Sequence, residues 1–149
     1  MTRYGISVRD VMKNNHLLVN PSDSIQKIAE LMHKEDTSGA IVIDKTKTPI
    51  GVVTLKDLVY KGVMGGHNPK KTKISVLMSK DLVTIEPEED LGKAVEIMSE
   101  HNISRLPVVK NKNLKGCISK TDVSNISPKL MDVLIEKLKV FKPSFKFGE

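Results

Sequence analysis

Cysteine is nearly absent from this 149-residue chain. Cys117 stands alone, which excludes an intrachain disulfide, and its place in an apolar run suits an inert core thiol better than a nucleophile. Tryptophan is missing and aromatics make up 3% of residues, so packing must rest on Ile, Val, Leu and adaptable Met. No apolar run approaches the roughly 20 residues of a membrane-spanning helix. Residues 1–8 lack the apolar core of a signal peptide. A cytoplasmic protein with no membrane partner is the expectation. The four histidines (His16, His33, His67, His101) do not pair with one another or with Cys117 at metal-ligand spacing, so no metal is expected. No Ser-His-Asp order or paired-carboxylate motif stands out, and no catalytic residue is expected. Glu86, Glu88, Glu89 and Asp90 read as a solvated helix start.

What the chain does have is positive charge and a repeat. The net charge of +6 favours anionic partners. Lys61, Lys70, Lys71 and Lys73 crowd the middle, and Lys137, Lys139, Lys142 and Lys146 crowd the end. Gly51-Val52-Val53-Thr54-Leu55-Lys56-Asp57 recurs 65 residues later as Gly116-Cys117-Ile118-Ser119-Lys120-Thr121-Asp122. Upstream, Met12, Pro21, Lys27, Glu30, Met32, Ser38 and Val42 match Met78, Pro87, Lys93, Glu96, Met98, Ser104 and Val108 at a spacing of 66. Two copies of one structural unit are implied, with one residue deleted from the second in the turn matching Asp44 to Pro49. Units of about 60 residues are marginal alone, so a shared core is expected.

The local pattern is the same in both copies. Ser7 to Met12 and Ser75 to Met78 read as short helical turns. Leu17-Leu18-Val19 and Leu82-Val83-Thr84-Ile85 read as extended runs before Pro21 and Pro87. A helix is expected from about Asp23 to Lys34, with Ile25, Ile28, Ala29 and Met32 on one apolar face; Leu91, Ala94, Val95 and Met98 repeat it. Ile41-Val42-Ile43 and Leu106-Pro107-Val108-Val109 read as buried strands, and Ile50 to Val53 and Leu114 to Ile118 as the strands that follow. Gly62 to Lys73 reads as a linker. Ser127-Pro128 opens a last helix with an apolar stripe, and a tail follows that holds all three phenylalanines between lysines.

The Thr54-x-x-Asp57 and Ser119-x-x-Asp122 motifs have two compatible readings. The first is a capping box, in which the hydroxyl caps a helix start and the carboxylate bonds back to the cap amide. The second uses the same geometry for a ligand. A helix start offers free amides to phosphate, and an acidic residue one turn inward can accept ribose hydroxyls.

In this order and twice over, the residues resemble a tandem pair of cystathionine-β-synthase (CBS) domains, a Bateman module. The resemblance covers about residues 7–60 and 74–126. It is carried by Val11-Met12, Pro21, Ala29-x-x-Met32, Ser38 to Ile43 and Gly51 to Asp57. In the second copy it is carried by Leu77-Met78, Val83 to Pro87, Ala94 to Met98, Ile103 to Val109 and Gly116 to Asp122. It implies an α/β (α+β) fold of two β-α-β-β-α units related by a pseudo-two-fold axis, with packed sheets and two clefts that bind adenosine derivatives. AMP, ADP or ATP is the implied regulatory ligand, with S-adenosylmethionine or dinucleotides in some members, and no cofactor is required. By position, Asp57 and Asp122 would hold ribose, and Thr54 and Ser119 would contact phosphate or ribose. Val19, Thr84, Ile41 and Pro107 would surround the base, and Arg105 would meet phosphate. Lys56 and Thr121, inside the two motifs, join these candidates. The first copy has Gly39-Ala40 where the second has Arg105-Leu106, which predicts tighter binding at Asp122, with Lys56 or the linker compensating at Asp57.

The expected organisation is one CBS unit over residues 7–62, a basic linker over 63–73, a second unit over 74–126 and a helix with a basic tail over 127–149. The expected function is non-catalytic sensing of an adenosine-derived ligand, signalled to an unidentified effector protein or through homodimerisation. Two alternatives stand beside it: an RNA-binding protein using the basic linker and tail, and a structural dimerisation module with empty clefts.

Overall fold

The computed structural model describes residues 5–126. The helix expected from Ser127 and the phenylalanine-containing tail lie outside those residues. In chain order the elements are α1 (Val8–Val11), β1 (Leu18–Val19), α2 (Ile25–Lys34), β2 (Gly39–Ile43) and β3 (Pro49–Thr54). Next come α3 (Leu55–Asp57), which runs into a π-helical stretch (Leu58–Val63), and a 3-10 turn (Ile74–Val76). The chain continues through α4 (Leu91–Glu100), β4 (Arg105–Lys110), β5 (Asn113–Ser119) and α5 (Lys120–Ser124).

Both long helices are set by a cap and an apolar stripe. Ser24 is extended and its hydroxyl accepts from Lys27 N at 3.1 Å, so α2 starts two residues later than Asp23. Ile25, Ile28 and Met32 are buried. Asp90 caps α4 by accepting from Gly92 N at 2.7 Å, and Leu91, Ala94, Val95 and Met98 are fully buried. Each such aliphatic side chain larger than alanine contributes about 1.5–3 kcal/mol by leaving water.

The first repeat forms a three-stranded sheet ordered β1-β2-β3, with β1 parallel and β3 antiparallel to β2. The second forms only the antiparallel pair β4-β5. The strand expected over Leu82 to Ile85 is reduced to a single parallel bridge between Ile85 and Val108. The cause is Pro107. In the first repeat, Ile41 N donates to Leu17 O at 2.9 Å and extends the ladder. Pro107 holds the equivalent place and has no N–H to offer Val83. The one-residue difference between copies also falls where expected: Val42 pairs with Gly51, nine residues on, and Val108 with Gly116, eight on. The shorter connection turns through Asn111 and Lys112, both with positive φ (52° and 66°), as a tight hairpin turn requires.

The repeats exchange their leading segments. Val8, with Ile6, Val11 and Met12 against it, packs into the core formed by α4, β4 and β5. Ile74 and Leu77 pack into the core formed by α2, β2 and β3. Backbone contacts are exchanged the same way: Ser7 bridges Asp90 and Lys73 bridges Ser24, while Lys13 bridges Cys117 and Ser79 bridges Val52. Each pair is the other with the repeats swapped, which is the signature of an approximate two-fold axis. The motif glycines permit the approach. A Cβ at Gly116 would stand 2.6 Å from Lys13 O, and one at Gly51 would stand 2.9 Å from Ser79 O.

Candidate functional site

Both motifs form capping boxes. Thr54 N donates to Asp57 Oδ2 at 2.8 Å, and Asp57 N donates to Thr54 Oγ1 at 3.4 Å. Ser119 N donates to Asp122 Oδ2 at 2.9 Å, and Asp122 N donates to Ser119 Oγ at 3.0 Å. The caps use Oδ2 in each case. The other oxygen meets a lysine: Asp57 Oδ1 lies 3.1 Å from Lys61 Nζ, and Asp122 Oδ1 lies 3.3 Å from Lys13 Nζ. The Asp122 side chain is 6% exposed and that of Asp57 18%.

Each carboxylate borders a cleft completed by the opposite repeat. The Asp57 cleft, about 280 Å³, is walled by Val52, Thr54, Lys56 and Lys61 on one side. On the other stand the Ser79 to Val83 segment, the Asn102 to Arg105 segment and Lys120. The Asp122 cleft, about 610 Å³, is walled by Ser119, Thr121 and Arg105 from the second repeat. Facing them are Lys13 to His16, the end of α2 and Glu35 to Ser38. The exchanged leading segments therefore build both sites.

Of the sequence candidates, Thr54, Lys56 and Asp57 gather in one cleft and Ser119, Thr121 and Asp122 in the other. Arg105 borders both. Its Nη2 donates to Ser38 Oγ at 2.8 Å, and Ser38 borders the Asp122 cleft. Val19, Ile41, Thr84 and Pro107 border neither cleft. Val19, Ile41 and Pro107 are buried in the sheets, and Thr84 faces solvent. Leu82 and Val83 border the Asp57 cleft, and Asn15 and His16 the Asp122 cleft.

Lys61, Lys13 and His16 were not among the sequence candidates. Lys61 was legible as the i+4 partner of Asp57 on a helix. Half-exposed, it also donates to Leu77 O at 3.3 Å. Lys13 carries no local signal, because its partner lies in the other repeat. His16 has its imidazole pKa lowered, chiefly by burial, against the raising effects of its hydrogen bond to Lys13 O and of nearby Asp122. Cys117 is buried and its thiol is pushed up to about 12 by desolvation, which removes it from nucleophilic chemistry. No group of metal-ligating side chains occurs among the described residues, and none of their helices is long and apolar enough to cross a membrane.

The family model for the CBS domain matches twice, over residues 8–63 and 74–129. The chain belongs to the CBS-domain family. It is similar to an uncharacterised protein of Methanopyrus kandleri, 29% identical over 138 residues, covering 92% of this chain and 70% of that protein. The CBS domain-containing protein YhcV of Bacillus subtilis is 33% identical over 118 residues, covering 79% of this chain and 83% of YhcV. Other relatives are longer: the chain spans 23% of the inosine-5'-monophosphate dehydrogenase of Nitrosopumilus maritimus, at 31% identity. Among solved structures, CBSX2 in complex with AMP matches with a TM-score of 0.69 and 26% identity, over 80% of this chain and 94% of that one. A hexameric CBS-CP12 protein from bloom-forming cyanobacteria matches with a TM-score of 0.75 and 29% identity, over 83% and 72% of the two chains.

Proposed function

We propose that this CBS pair is a non-catalytic regulatory module that binds adenosine-containing ligands of the AMP, ADP or ATP type in its two clefts. The supporting observation is the division of labour within each aspartate. Oδ2 serves the helix cap, while Oδ1 of the same cleft-lining carboxylate pairs with a half-exposed lysine. Ribose hydroxyls donate to Oδ1 on binding, and the displaced lysine turns to phosphate. The AMP complex of CBSX2 supports the ligand class. The ligand acts by its different affinity for different packing states of the module, read out by a partner protein or by self-association. Leu55, Val59, Tyr60, Val63 and Met64 form an exposed apolar face on α3 and its π-helical extension, and a second copy of the chain is the occupant that this reading gives it.

Thermal unfolding with AMP, ADP, ATP and a short RNA tests the proposal. A ligand at 100 times its dissociation constant adds about 2.7 kcal/mol of stability. The expected result is a shift with an adenine nucleotide that falls in Asp57→Ala and Asp122→Ala. A shift with RNA alone, lost as salt rises, would transfer the function to the basic surface. No shift with any of them would leave the twin motifs as helix caps.

A further inference from the structure

We infer that the two clefts take adenosine ligands of different charge: a phosphate-bearing one beside Asp57 and one without phosphate beside Asp122. This rests on the adenosine-binding reading above and assigns each site its ligand class. Among the described residues bordering the Asp57 cleft, four cations (Lys56, Lys61, Arg105 and Lys120) face two carboxylates (Asp57 and Asp81), a formal +2. Bordering the Asp122 cleft, two cations (Lys13 and Arg105) face three carboxylates (Glu35, Asp36 and Asp122), a formal −1 with the histidines neutral. Arg105 counts in both, so omitting it leaves the difference unchanged.

The difference is written into the repeat. Lys56 stands where the other copy has Thr121, Lys120 where it has Leu55, and Asn102 where it has Asp36. Asp81 and Lys13 oppose the trend and do not cancel it. Each aspartate pairs with one lysine, Lys13 with Asp122 at 3.3 Å and Lys61 with Asp57 at 3.1 Å, so these pairs do not distinguish the clefts. An incoming phosphate beside Asp122 meets Glu35 and Asp36 with Lys13 and Arg105 to offset them, and Arg105 already donates to Ser38. A neutral adenosine compound avoids this repulsion and keeps the ribose contact. Beside Asp57 a phosphate meets a net positive lining. A single charge at surface-like separations and screening alters affinity about 10-fold.

Calorimetric titration of the full chain with AMP and with adenosine tests the assignment, using Lys56→Gln and the double variant Glu35→Gln/Asp36→Asn. Asn suits position 36, whose φ is 49°, and thermal unfolding checks that each variant is folded. The ratio of AMP to adenosine affinity should fall about 10-fold in Lys56→Gln, which removes one charge, and rise by about 10-fold to 100-fold at the second site in the double variant, which removes two. Binding of both compounds with neither ratio moved overturns the charge assignment and leaves the adenosine function standing. Failure of the wild-type chain to bind either compound overturns that function, and the assignment with it.

Discussion

Arg105 lies over the bare backbone of Gly39 and donates from Nη2 to Ser38 Oγ at 2.8 Å. A Cβ at Gly39 would overlap Nε and Cδ of that side chain. The glycine of one repeat and the arginine of the other occupy equivalent positions across the pseudo-two-fold axis, and only one of them can carry a long side chain. The missing arginine of the first copy is thus the space that the second copy's arginine fills.

Arg105→Ala should therefore weaken AMP binding by about 10-fold or more, since a charge-assisted hydrogen bond contributes about 1.5–3 kcal/mol. Gly39→Ala should displace the arginine without unfolding the chain, because the overlapped atoms belong to a flexible, half-exposed side chain. Calorimetric titration of both variants checks this. An unchanged affinity in Arg105→Ala would remove Arg105 from the binding site.

The exchange of leading segments predicts where mutations are felt. Leu77 is 1% exposed and completes the core of α2, β2 and β3, although it follows the linker in sequence. Leu77→Ala should cost about 2–5 kcal/mol. Hydrogen exchange should show the protection loss centred on Ile28, Val42 and Val53 in the first repeat. Loss centred on α4 and β4 instead would contradict the exchanged packing. By the same logic, a fragment ending at Gly66 lacks Ile74 and Leu77 and should not fold alone, as circular dichroism would show.

Much of this was legible in the sequence because it is periodic. The helical spacing of Leu91, Ala94, Val95 and Met98 gave a fully buried stripe, and the Thr54 and Ser119 motifs gave their caps. Periodicity along one segment does not say which other segment completes a surface. That is why the pairing of Lys13 with Asp122 was invisible. The contrast between Gly39 and Arg105 read as a loss for the same reason: its meaning lies across the two-fold axis.

Glu88 gives a pH-dependent prediction. Its carboxylate lies 2.8 Å from Arg9 Nη2 and 3.0 Å from Lys110 Nζ, joining α1 to β4. The hydrogen bonds from Lys110 and Arg9 lower its pKa from 4.5 to about 2. A carboxylate with a depressed folded pKa contributes stability above the unfolded value and loses it as pH falls through the folded one. Glu88→Gln should therefore lower the unfolding temperature at pH 7, and its difference from wild type should shrink below pH 4.5 and vanish near pH 2. The group is exposed, so the effect is small and should fade with added salt. A difference that persists undiminished at pH 2 would mean that Glu88 acts through something other than its charge.

Pro107 offers the sharpest test of how one residue separates the repeats. Its carbonyl already accepts from Ile85 N at 3.1 Å, so the parallel alignment exists and only the next donor is missing. Pro107→Ala supplies an N–H where Ile41 has one in the first repeat. The new amide should bond Val83 O and lengthen the bridge at Ile85 into a strand like β1. Loss of the ring from a buried site opposes the gain, so net stability should change by less than about 1.5 kcal/mol. Two readouts follow. The new amide at position 107 should be protected from hydrogen exchange, and AMP binding should change, because Val83 borders the Asp57 cleft. Rapid exchange at position 107 in a folded variant would show that something other than the missing donor bends Leu82 and Val83 away from the sheet.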